Sequence, residues 1–539
     1  MTTYRKPLVD IPDDKGVHVK TAGAKSEMYV YKYVKYYRND QGNPRNKAKA
    51  IGKLDPETGR MVPNSNYFQM YHLDPLLPDI TIWKYGYTYL ILKVCKDIKL
   101  LDCLTRVFGE RAIDIIVMAS YIIRKGNAMD GIDDWQQENY FPGFERLLTS
   151  QSTSRIFGTL SAVKMNDFFK HWIQEAFHGG SVFYDVTSIS SYSQEMPDVE
   201  YGYNRDGEDL AQFNVGLFCD ESTRTPLYYN RYNGSLTDKV NLSYVLKNAE
   251  SVGIKNIKAV VDGGFWSEEC IKSLNSCCDT FTIGMPAFLK ESQKILSEYA
   301  DGIEKYENEL IEYHVYCVEV NTTLYGVPGK VLLYYDPWNH LNLCNEMSER
   351  INKLKSELSA LKRYPKSKLS RYTKYFIITK HENDNGFDFM VDTDNVEQLR
   401  KYKGFFPIFT TDMNATPSDN LYFYRTKDVE EKLFDQIKVD MDGGRIRTHS
   451  MEATEGKTFV TFIACVIRSY MFNKLSKHFT ENSTSLKKVL NKLSNITIIS
   501  SYDGYRFTKA LTKEQKDILS AFDAVNDIKV SVKNEKCLR

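Results

Sequence analysis

Two short apolar runs, each followed by an aspartate, constrain the fold of this chain more than any other feature. Residues 182–184, Val-Phe-Tyr, precede Asp185, and residues 259–261, Ala-Val-Val, precede Asp262. Continuous runs of this kind are typical of strands that are buried on both faces of a sheet. An aspartate after such a run is most often a turn residue or a helix cap, so neither aspartate alone indicates a function. Together they predict a covered sheet with two carboxylates at its strand ends.

A third carboxylate lies in a regularly spaced set of polar residues near the other end of the chain. Four such residues share one face of a predicted helix: Tyr424, Lys427, Glu431 and Lys438. At about 100° per residue they fall within about 60° of one another, and the apolar residues between them fall on the opposite face. Glu430 lies about 100° from Glu431 and off the polar face, so Glu431 is the stronger candidate. The ordinary interpretation of such a set is a solvated helix face with modest ion pairing.

The three carboxylates suit a particular chemistry if the fold brings them together. Hard divalent cations prefer oxygen ligands, and Asp185, Asp262 and Glu431 could hold a pair of them. A pair of such ions serves in-line displacement at a phosphate. The two lysines beside Glu431 would then contact phosphate. The pattern therefore indicates metal-assisted chemistry at a phosphate.

In these motifs the chain resembles insertion-sequence DDE transposases, whose catalytic domain is RNase H-like. That group has a signature of Tyr, two residues, Arg, three residues, Glu, six residues and Lys, and residues 424–438 match its spacing. Lys427 stands where the group usually has Arg, which keeps the charge but loses the bidentate fork. The segments around Asp185 and Asp262 resemble the two aspartate segments of the group, and residues 227–238 resemble the strand and turn between them. The likeness is strongest over residues 181–286 and 421–468.

The resemblance implies an activity, a set of ligands and a set of partners. It implies three catalytic and metal-binding residues: Asp185, Asp262 and Glu431. Two Mg²⁺ or Mn²⁺ ions would bind there, and the terminal phosphates would be held by Tyr424, Lys427 and Lys438. The reaction would be cleavage at the terminal inverted repeats of an insertion sequence, followed by strand transfer into target DNA. The partner would be double-stranded DNA, the active DNA complex would be a dimer, and the protein would be cytoplasmic and nucleoid-associated when active.

The expected fold class is α/β, an RNase H-like mixed sheet flanked by helices and interrupted by a β-rich insertion. A strand with Asp185, a hairpin over 213–218 and 226–232, a helix over 239–251 and a strand ending at Asp262 would begin the sheet. The expected domains, in chain order, are a basic β-hairpin segment with possible DNA contact (1–75), a helical DNA-binding domain (80–179), the first part of the catalytic domain (180–286), the β-rich insertion (287–413), the second part with the Glu helix (414–500), and a C-terminal helix and tail (501–539).

Two segments before the first aspartate are candidates for DNA contact. Tyrosines at 29, 31 and 33 and basic residues at 45, 47 and 49 alternate on either side of a turn cluster at 39–44, which predicts a β-hairpin. This hairpin could lie along DNA or simply pack on the next domain. Residues 147–156 resemble the start of a recognition helix, in which Gln151, Ser154 and Arg155 could meet base edges or phosphates. Short polar helix starts are also common without any such role.

Composition adds few constraints. The formal net charge of +1 gives no global attraction to nucleic acid, so affinity for DNA must come from local patches. One such patch is 353–380, with nine Lys or Arg residues against one Glu. The ten cysteines form no CxxC pair and no signal peptide is apparent, which favours a reduced intracellular protein. No apolar run is long enough for a membrane span.

Other function classes remain open from the sequence. A domesticated, catalytically inactive transposase relative would bind DNA without cutting it, and an RNase H-like DNA nuclease would cut without joining. A sugar hydrolase would need two carboxyls that flank a sugar cleft. The lysines beside Glu431 favour phosphate over sugar.

Overall fold

The computed structural model describes most of the chain, and it divides into two compact units. The described residues are 8–22, 27–73, 82–144, 146–192, 196–255, 257–366, 369–381, 385–426, 434–448, 450–501 and 504–534. One unit comprises Met1–Ala176, Ser191–Met196 and Asp435–Arg539, and the other comprises Phe177–Ser190 and Pro197–Phe434.

The first unit begins with a small antiparallel sheet. Its four strands pair in chain order: Val17–Ala22, Glu27–Arg38, Pro44–Leu54 and Met61–Pro63. Val30, Ile51 and Met61 form its core, and the helix Ser65–Tyr71 follows it, capped by Asn64. The β-hairpin predicted from the alternating tyrosines and basic residues is confirmed, with its turn between residues 38 and 44.

The rest of the first unit is mainly helical. Its helices are Gly86–Asp97, Leu100–Phe108, Arg111–Lys125, Ile132–Glu138, Ser150–Thr159, Ala162–Ala176, Met451–Lys474, Ser476–Asn482, Leu486–Ser494, Lys513–Ser520 and Ala524–Asn534, with a π-helix at Gln436–Asp440. A three-stranded sheet joins Ile82–Lys84, Thr497–Ser501 and Gly504–Phe507, and a two-residue strand lies at Arg445–Ile446. The helix Met451–Lys474 is buried along most of its length, which makes it the core of this unit. The helical pattern expected over 80–179 is therefore present.

The second unit is built on a mixed sheet flanked by helices. Nine strands pair in this order: Glu309–Leu310, Val315–Leu324, Val327–Tyr335, Phe405–Thr410, Thr280–Gly284, Ile257–Val261, Gly180–Ser191, Gln212–Asp220 and Pro226–Asn233. Ile257–Val261 is parallel to both of its neighbours, and the other pairs are antiparallel. The prediction of an α/β fold with a covered mixed sheet is confirmed, and the strands and helix expected between Asp185 and Asp262 are present.

Helices connect the strands of the second unit. They are Asp238–Ser251, Glu268–Cys277, Lys290–Tyr299, Pro337–Ala360, Leu369–Tyr372, Thr393–Lys401 and Pro417–Thr426, with short 3-10 turns at Gly263–Phe265 and Tyr306–Asn308. A separate hairpin, Phe376–Lys380 with Phe387–Val391, packs against Pro337–Ala360 through Met347, Leu354 and Leu358.

The described residues of the segment expected to be a β-rich insertion, 287–413, hold six strands, and four of these strands belong to the main sheet. Its longest element is the 24-residue helix Pro337–Ala360, and the strands Val315–Leu324, Val327–Tyr335 and Phe405–Thr410 continue the main sheet. The physical reason lies in Val327–Tyr335, which is buried along nearly its whole length. A strand covered on both faces needs neighbours and helices around it, so it joins the interior of the large sheet.

None of the helices in the described part of the chain combines the length and apolar character that a bilayer crossing requires.

A buried lysine lies in the core helix of the first unit. Lys457 is buried, and burial, together with the nearby Arg447, lowers its pKa to about 8, while Asp442 and Asp130 act in the opposite direction. In the unfolded chain the pKa of this lysine has its ordinary, higher value. Between these two pKa values the unfolded chain binds one more proton, so stability rises with pH there. At neutral pH the charged Lys457 lowers the stability.

We predict that Lys457→Met raises the free energy of unfolding at pH 7, by about 2 to 3 kcal/mol. The variant should also lose part of the rise in stability between pH 8 and pH 10. Urea unfolding at several pH values measures both effects. Lys487→Met, at an exposed position of Leu486–Ser494, is the control and should change neither. An unchanged pH dependence in Lys457→Met would contradict the assignment.

A glycine permits a close contact between two helices of the first unit. A Cβ atom added at Gly456 would lie 2.1 Å from the carbonyl oxygen of Phe157, whereas one added at Gly158 would meet nothing within 4 Å. We expect Gly456→Ala to destabilise the protein by about 1 to 3 kcal/mol, because backbone must move. Gly158→Ala should be neutral or stabilising by up to about 1 kcal/mol. Thermal unfolding of the two variants makes the comparison, and equal effects would refute the close approach.

Candidate active site

The two predicted aspartates lie side by side in the central sheet of the second unit. The parallel strands Gly180–Ser191 and Ile257–Val261 pair with Phe183 opposite Val260. Asp185 lies two residues further along its strand, and Asp262 lies two residues beyond Val260, just past the end of its strand, so a continuation of this register would place them opposite one another. Residues opposite each other on neighbouring strands point to the same face, and neighbouring strands lie about 4.8 Å apart. The fold therefore brings together two carboxylates that are far apart in the sequence.

The local backbone explains why each aspartate is accessible. Asp185 is half-buried between the buried residues Tyr184 and Val186, inside a strand that continues beyond the end of its parallel neighbour. Asp262 is the first residue after Ile257–Val261 and caps the 3-10 turn Gly263–Phe265, where its Oδ1 accepts a 2.6 Å hydrogen bond from the Gly263 amide. Solvent therefore reaches the carboxyl end of Ile257–Val261 at Asp185 and Asp262.

Tyr424 reaches the same end of the sheet. It lies on the helix Pro417–Thr426, and its hydroxyl packs so closely on Gly284 that a Cβ atom there would lie 2.2 Å from it. The same Cβ position lies 3.1 Å from the amide nitrogen of Gly263, the residue after Asp262. The Tyr424 hydroxyl is therefore near the Asp262 turn.

The helix that carries Tyr424 is fixed to the sheet by buried polar contacts. Thr282 donates a 3.1 Å hydrogen bond to Asn420, which is almost completely buried. The Tyr334 hydroxyl donates to the carbonyl of Pro417 at 2.8 Å. Sequence reasoning missed Asn420 and Gly284. The signal was a polar residue and a glycine at positions where a buried helix and strand would carry apolar side chains.

Of the other residues on the predicted helix face, Lys438 alone lies in the described part of the chain. Lys427 and Glu431, like Glu430, lie outside the described residues. Lys438 is half-buried in the π-helix Gln436–Asp440 of the first unit. A π-helix has hydrogen bonds from i to i+5, so the spacing of about 100° per residue does not hold as far as Lys438.

The donor chemistry of the aspartate pair fits a hard divalent cation. Both side chains offer carboxylate oxygens, which Mg²⁺ and Mn²⁺ prefer. Among the described residues, no group of three or more His, Cys, Asp or Glu side chains is arranged to hold a metal. Of the three residues expected to bind the metal, Asp185 and Asp262 lie in the described part of the chain and Glu431 lies outside it.

Ser188 lies on the other face of the sheet from Asp185. The two residues are three positions apart in one strand, and side chains alternate between faces. Ser188 accepts a 3.2 Å hydrogen bond from Arg205, which forms an ion pair with Asp238. Tyr232 donates to Asp238 at 2.6 Å, and burial raises the pKa of this tyrosine. Ser188 therefore belongs to a network that holds the segment around Arg205 on the sheet, whereas Thr187, two positions from Asp185, lies on the same face of the strand as that aspartate.

The predicted DNA-contact residues of the helical region are accessible. Gln151, Ser154 and Arg155 are exposed on the helix Ser150–Thr159, whose Ile156 and Phe157 are buried. Thr149 caps this helix in a capping box with Ser152. The described basic residues of the 353–380 patch are also exposed.

The contact between Gly284 and Tyr424 can be tested by a double-mutant cycle. We predict that Gly284→Ala costs about 1 to 3 kcal/mol of stability because the added Cβ displaces the Tyr424 ring. In a Tyr424→Phe background the nearest ring carbon is 3.1 Å away, so the cost should fall by more than about 0.5 kcal/mol. Gly264→Ala, where nothing lies within 4 Å of the added Cβ, is the control. Strictly additive effects in urea unfolding would disprove the contact.

Comparisons with known proteins leave the family unassigned. No family profile matches the chain, and no curated protein matches it. Among solved structures, the cryo-EM structure of a piggyBac transposase synaptic complex with hairpin DNA aligns over 76% of this chain and 79% of its own, with 14% identity and a TM-score of 0.37. At that TM-score the similarity assigns no function.

Proposed function

We propose that the chain is a DDE-type DNA transposase, which cleaves DNA at the terminal inverted repeats of an insertion sequence and joins the freed end to target DNA. The observation that carries the proposal is the parallel pairing of Gly180–Ser191 with Ile257–Val261, whose register, continued by two residues, places Asp185 opposite Asp262. The spacing signature that ends in Glu431 and Lys438 supports the same reaction.

The order of the sheet strands supports an RNase H-like catalytic domain. Gly180–Ser191, Gln212–Asp220 and Pro226–Asn233 form an antiparallel meander in chain order. Ile257–Val261 and Thr280–Gly284 then extend the sheet in parallel on the other side of the first strand. An RNase H-like sheet has this arrangement, with a carboxylate on the first strand and another at the end of the fourth.

In this proposal each residue has a distinct task. Asp185, Asp262 and Glu431 would hold divalent cations, which when bound neutralise charge on the phosphate and activate the attacking oxygen. The Tyr424 hydroxyl, near the Asp262 turn, would donate a hydrogen bond to a phosphate oxygen. Lys427 would add a point charge, and it cannot form the bidentate contact that an arginine forms.

The aspartate pair would also serve an RNase H-like DNA nuclease, and the two functions differ in their product. A nuclease leaves cleaved ends, whereas a transposase joins a 3′ end to a second duplex. A domesticated relative would bind the DNA and form neither product. One assay with two labelled duplexes therefore separates all three functions.

We predict that Asp185→Asn and Asp262→Asn each reduce cleavage at the repeat boundary by at least about 100-fold, because each removes charge that positions the reaction. Glu431→Gln should do the same. The substrate is a labelled duplex that carries the terminal repeat flanking the protein's own gene, with Mg²⁺ or with EDTA. Binding of that duplex without metal should change less than about threefold in each variant, since the substitutions are nearly isosteric.

The control is Asp279→Asn, which makes the same chemical change at an exposed residue just before Thr280–Gly284, at the opposite end of the parallel strands. It should cleave at the wild-type rate. Cleavage that survives in Asp185→Asn, or that needs no metal, would overturn the assignment. Metal-dependent cleavage without any joined product would favour the nuclease.

A further inference from the structure

The hairpin of the first unit extends beyond the sheet to which it belongs. Within this sheet Val17–Ala22 pairs with residues 27–32, and Met61–Pro63 pairs with residues 52–54. Residues 33–49 therefore form a two-stranded ribbon that continues past both neighbours. At about 3.4 Å per residue, each of its strands projects by about 15 to 20 Å.

One face of this ribbon is strongly basic. Opposite residues share a face, so Lys35 with Lys47 and Tyr37 with Arg45 lie together, and Lys49 continues the alternation along the second strand. We call these five residues the basic face. All five are exposed, and Tyr37 is 48% accessible.

The other face of the ribbon makes contacts within the protein. The rings of Tyr36 and Tyr33 meet edge to face with centroids 5.4 Å apart, and both approach Gly16. Arg38 donates a 2.8 Å hydrogen bond to the carbonyl of Gly42 and so closes the turn. The ribbon thus has one face on which Tyr33 and Tyr36 contact each other and approach Gly16, and an opposite basic face.

The basic face lowers the stability of the ribbon by itself. Lys35 lies directly opposite Lys47, and like charges in opposite positions of a strand pair repel. The one carboxylate within residues 33–49 is Asp40, which lies in the turn. A two-stranded ribbon is marginally stable in water even without this repulsion. A polyanion bound to the basic face would remove the repulsion.

We infer that the basic face binds the phosphate backbone of duplex DNA. The major groove admits a two-stranded β-ribbon, and duplex DNA carries one charge per about 1.7 Å of axis, so several phosphates lie within reach of the ribbon. Tyr37, between the cations, can donate a hydrogen bond to a phosphate oxygen. The choice of DNA rests on the proposed function, while the surface itself is separate from the aspartate pair and its chemistry.

The test compares two triple variants of the full chain with equal loss of charge. The first carries Lys35→Gln, Arg45→Gln and Lys47→Gln. The control carries Lys96→Gln, Lys487→Gln and Lys488→Gln, at exposed helix positions of the same unit. Binding to a labelled duplex is measured in EDTA from 50 to 200 mM salt, and thermal unfolding is recorded for both.

We expect the ribbon variant to bind at least about tenfold more weakly at 150 mM salt, with the slope of log K against log salt reduced by about 2 to 3. Its unfolding midpoint should stay the same or rise, because like-charge repulsion is removed. The control should bind as the wild type does.

Equal affinity and slope in the ribbon variant and the wild type would overturn the inference and leave the proposed function intact. The inference would also fail if the control lost as much affinity as the ribbon variant, since the effect would then be one of net charge. Ribbon-dependent binding by a chain that never cleaves would support the ribbon surface and refute the transposase.

Discussion

The parallel register between Gly180–Ser191 and Ile257–Val261 is the constraint on which the candidate site depends. Continued by two residues beyond its last paired positions, it places Asp185 opposite Asp262, and a shift of one residue would send one carboxylate to the other face of the sheet. The register is held by burial, because Val182, Phe183, Val260 and Val261 are almost completely inaccessible to solvent. The apolar residues that make the strands thus also determine where the polar chemistry lies. Asn420 and Gly284 fix the helix that carries Tyr424 to the neighbouring strand Thr280–Gly284, and this fixes the position of the Tyr424 hydroxyl.

Local sequence patterns predicted the strands and helices themselves better than they predicted which strands pair. The strands before Asp185 and Asp262 and the N-terminal hairpin could be predicted because each is a short apolar or alternating run bounded by turn residues. The membership of Val315–Leu324 and Phe405–Thr410 in the main sheet could not, since pairing between distant segments leaves no local periodicity. For the same reason, the sequence suggested that Asp185 and Asp262 act together, but it could not specify that they lie opposite each other.

Charge in this chain acts locally. The net charge is +1, yet the ribbon face, the 353–380 patch and the exposed side of Ser150–Thr159 each concentrate polar or basic groups. Such patches attract a polyanion over about one Debye length, roughly 10 Å at moderate salt, whatever the total charge. Under the proposed function, such surfaces would hold a duplex at several points while the carboxylates act at one phosphate.

The proposed function requires that Asp185 and Asp262 together bind a divalent cation. Electron paramagnetic resonance of free Mn²⁺, titrated with wild type, Asp185→Ala, Asp262→Ala and the double variant, tests it most directly, because it requires no DNA and no turnover. If both carboxylates bind the same ion, each single variant should weaken binding, and the double variant should lose much less than the sum of the two single losses in free energy. Unchanged Mn²⁺ binding in the single variants, or strictly additive losses, would contradict the claim.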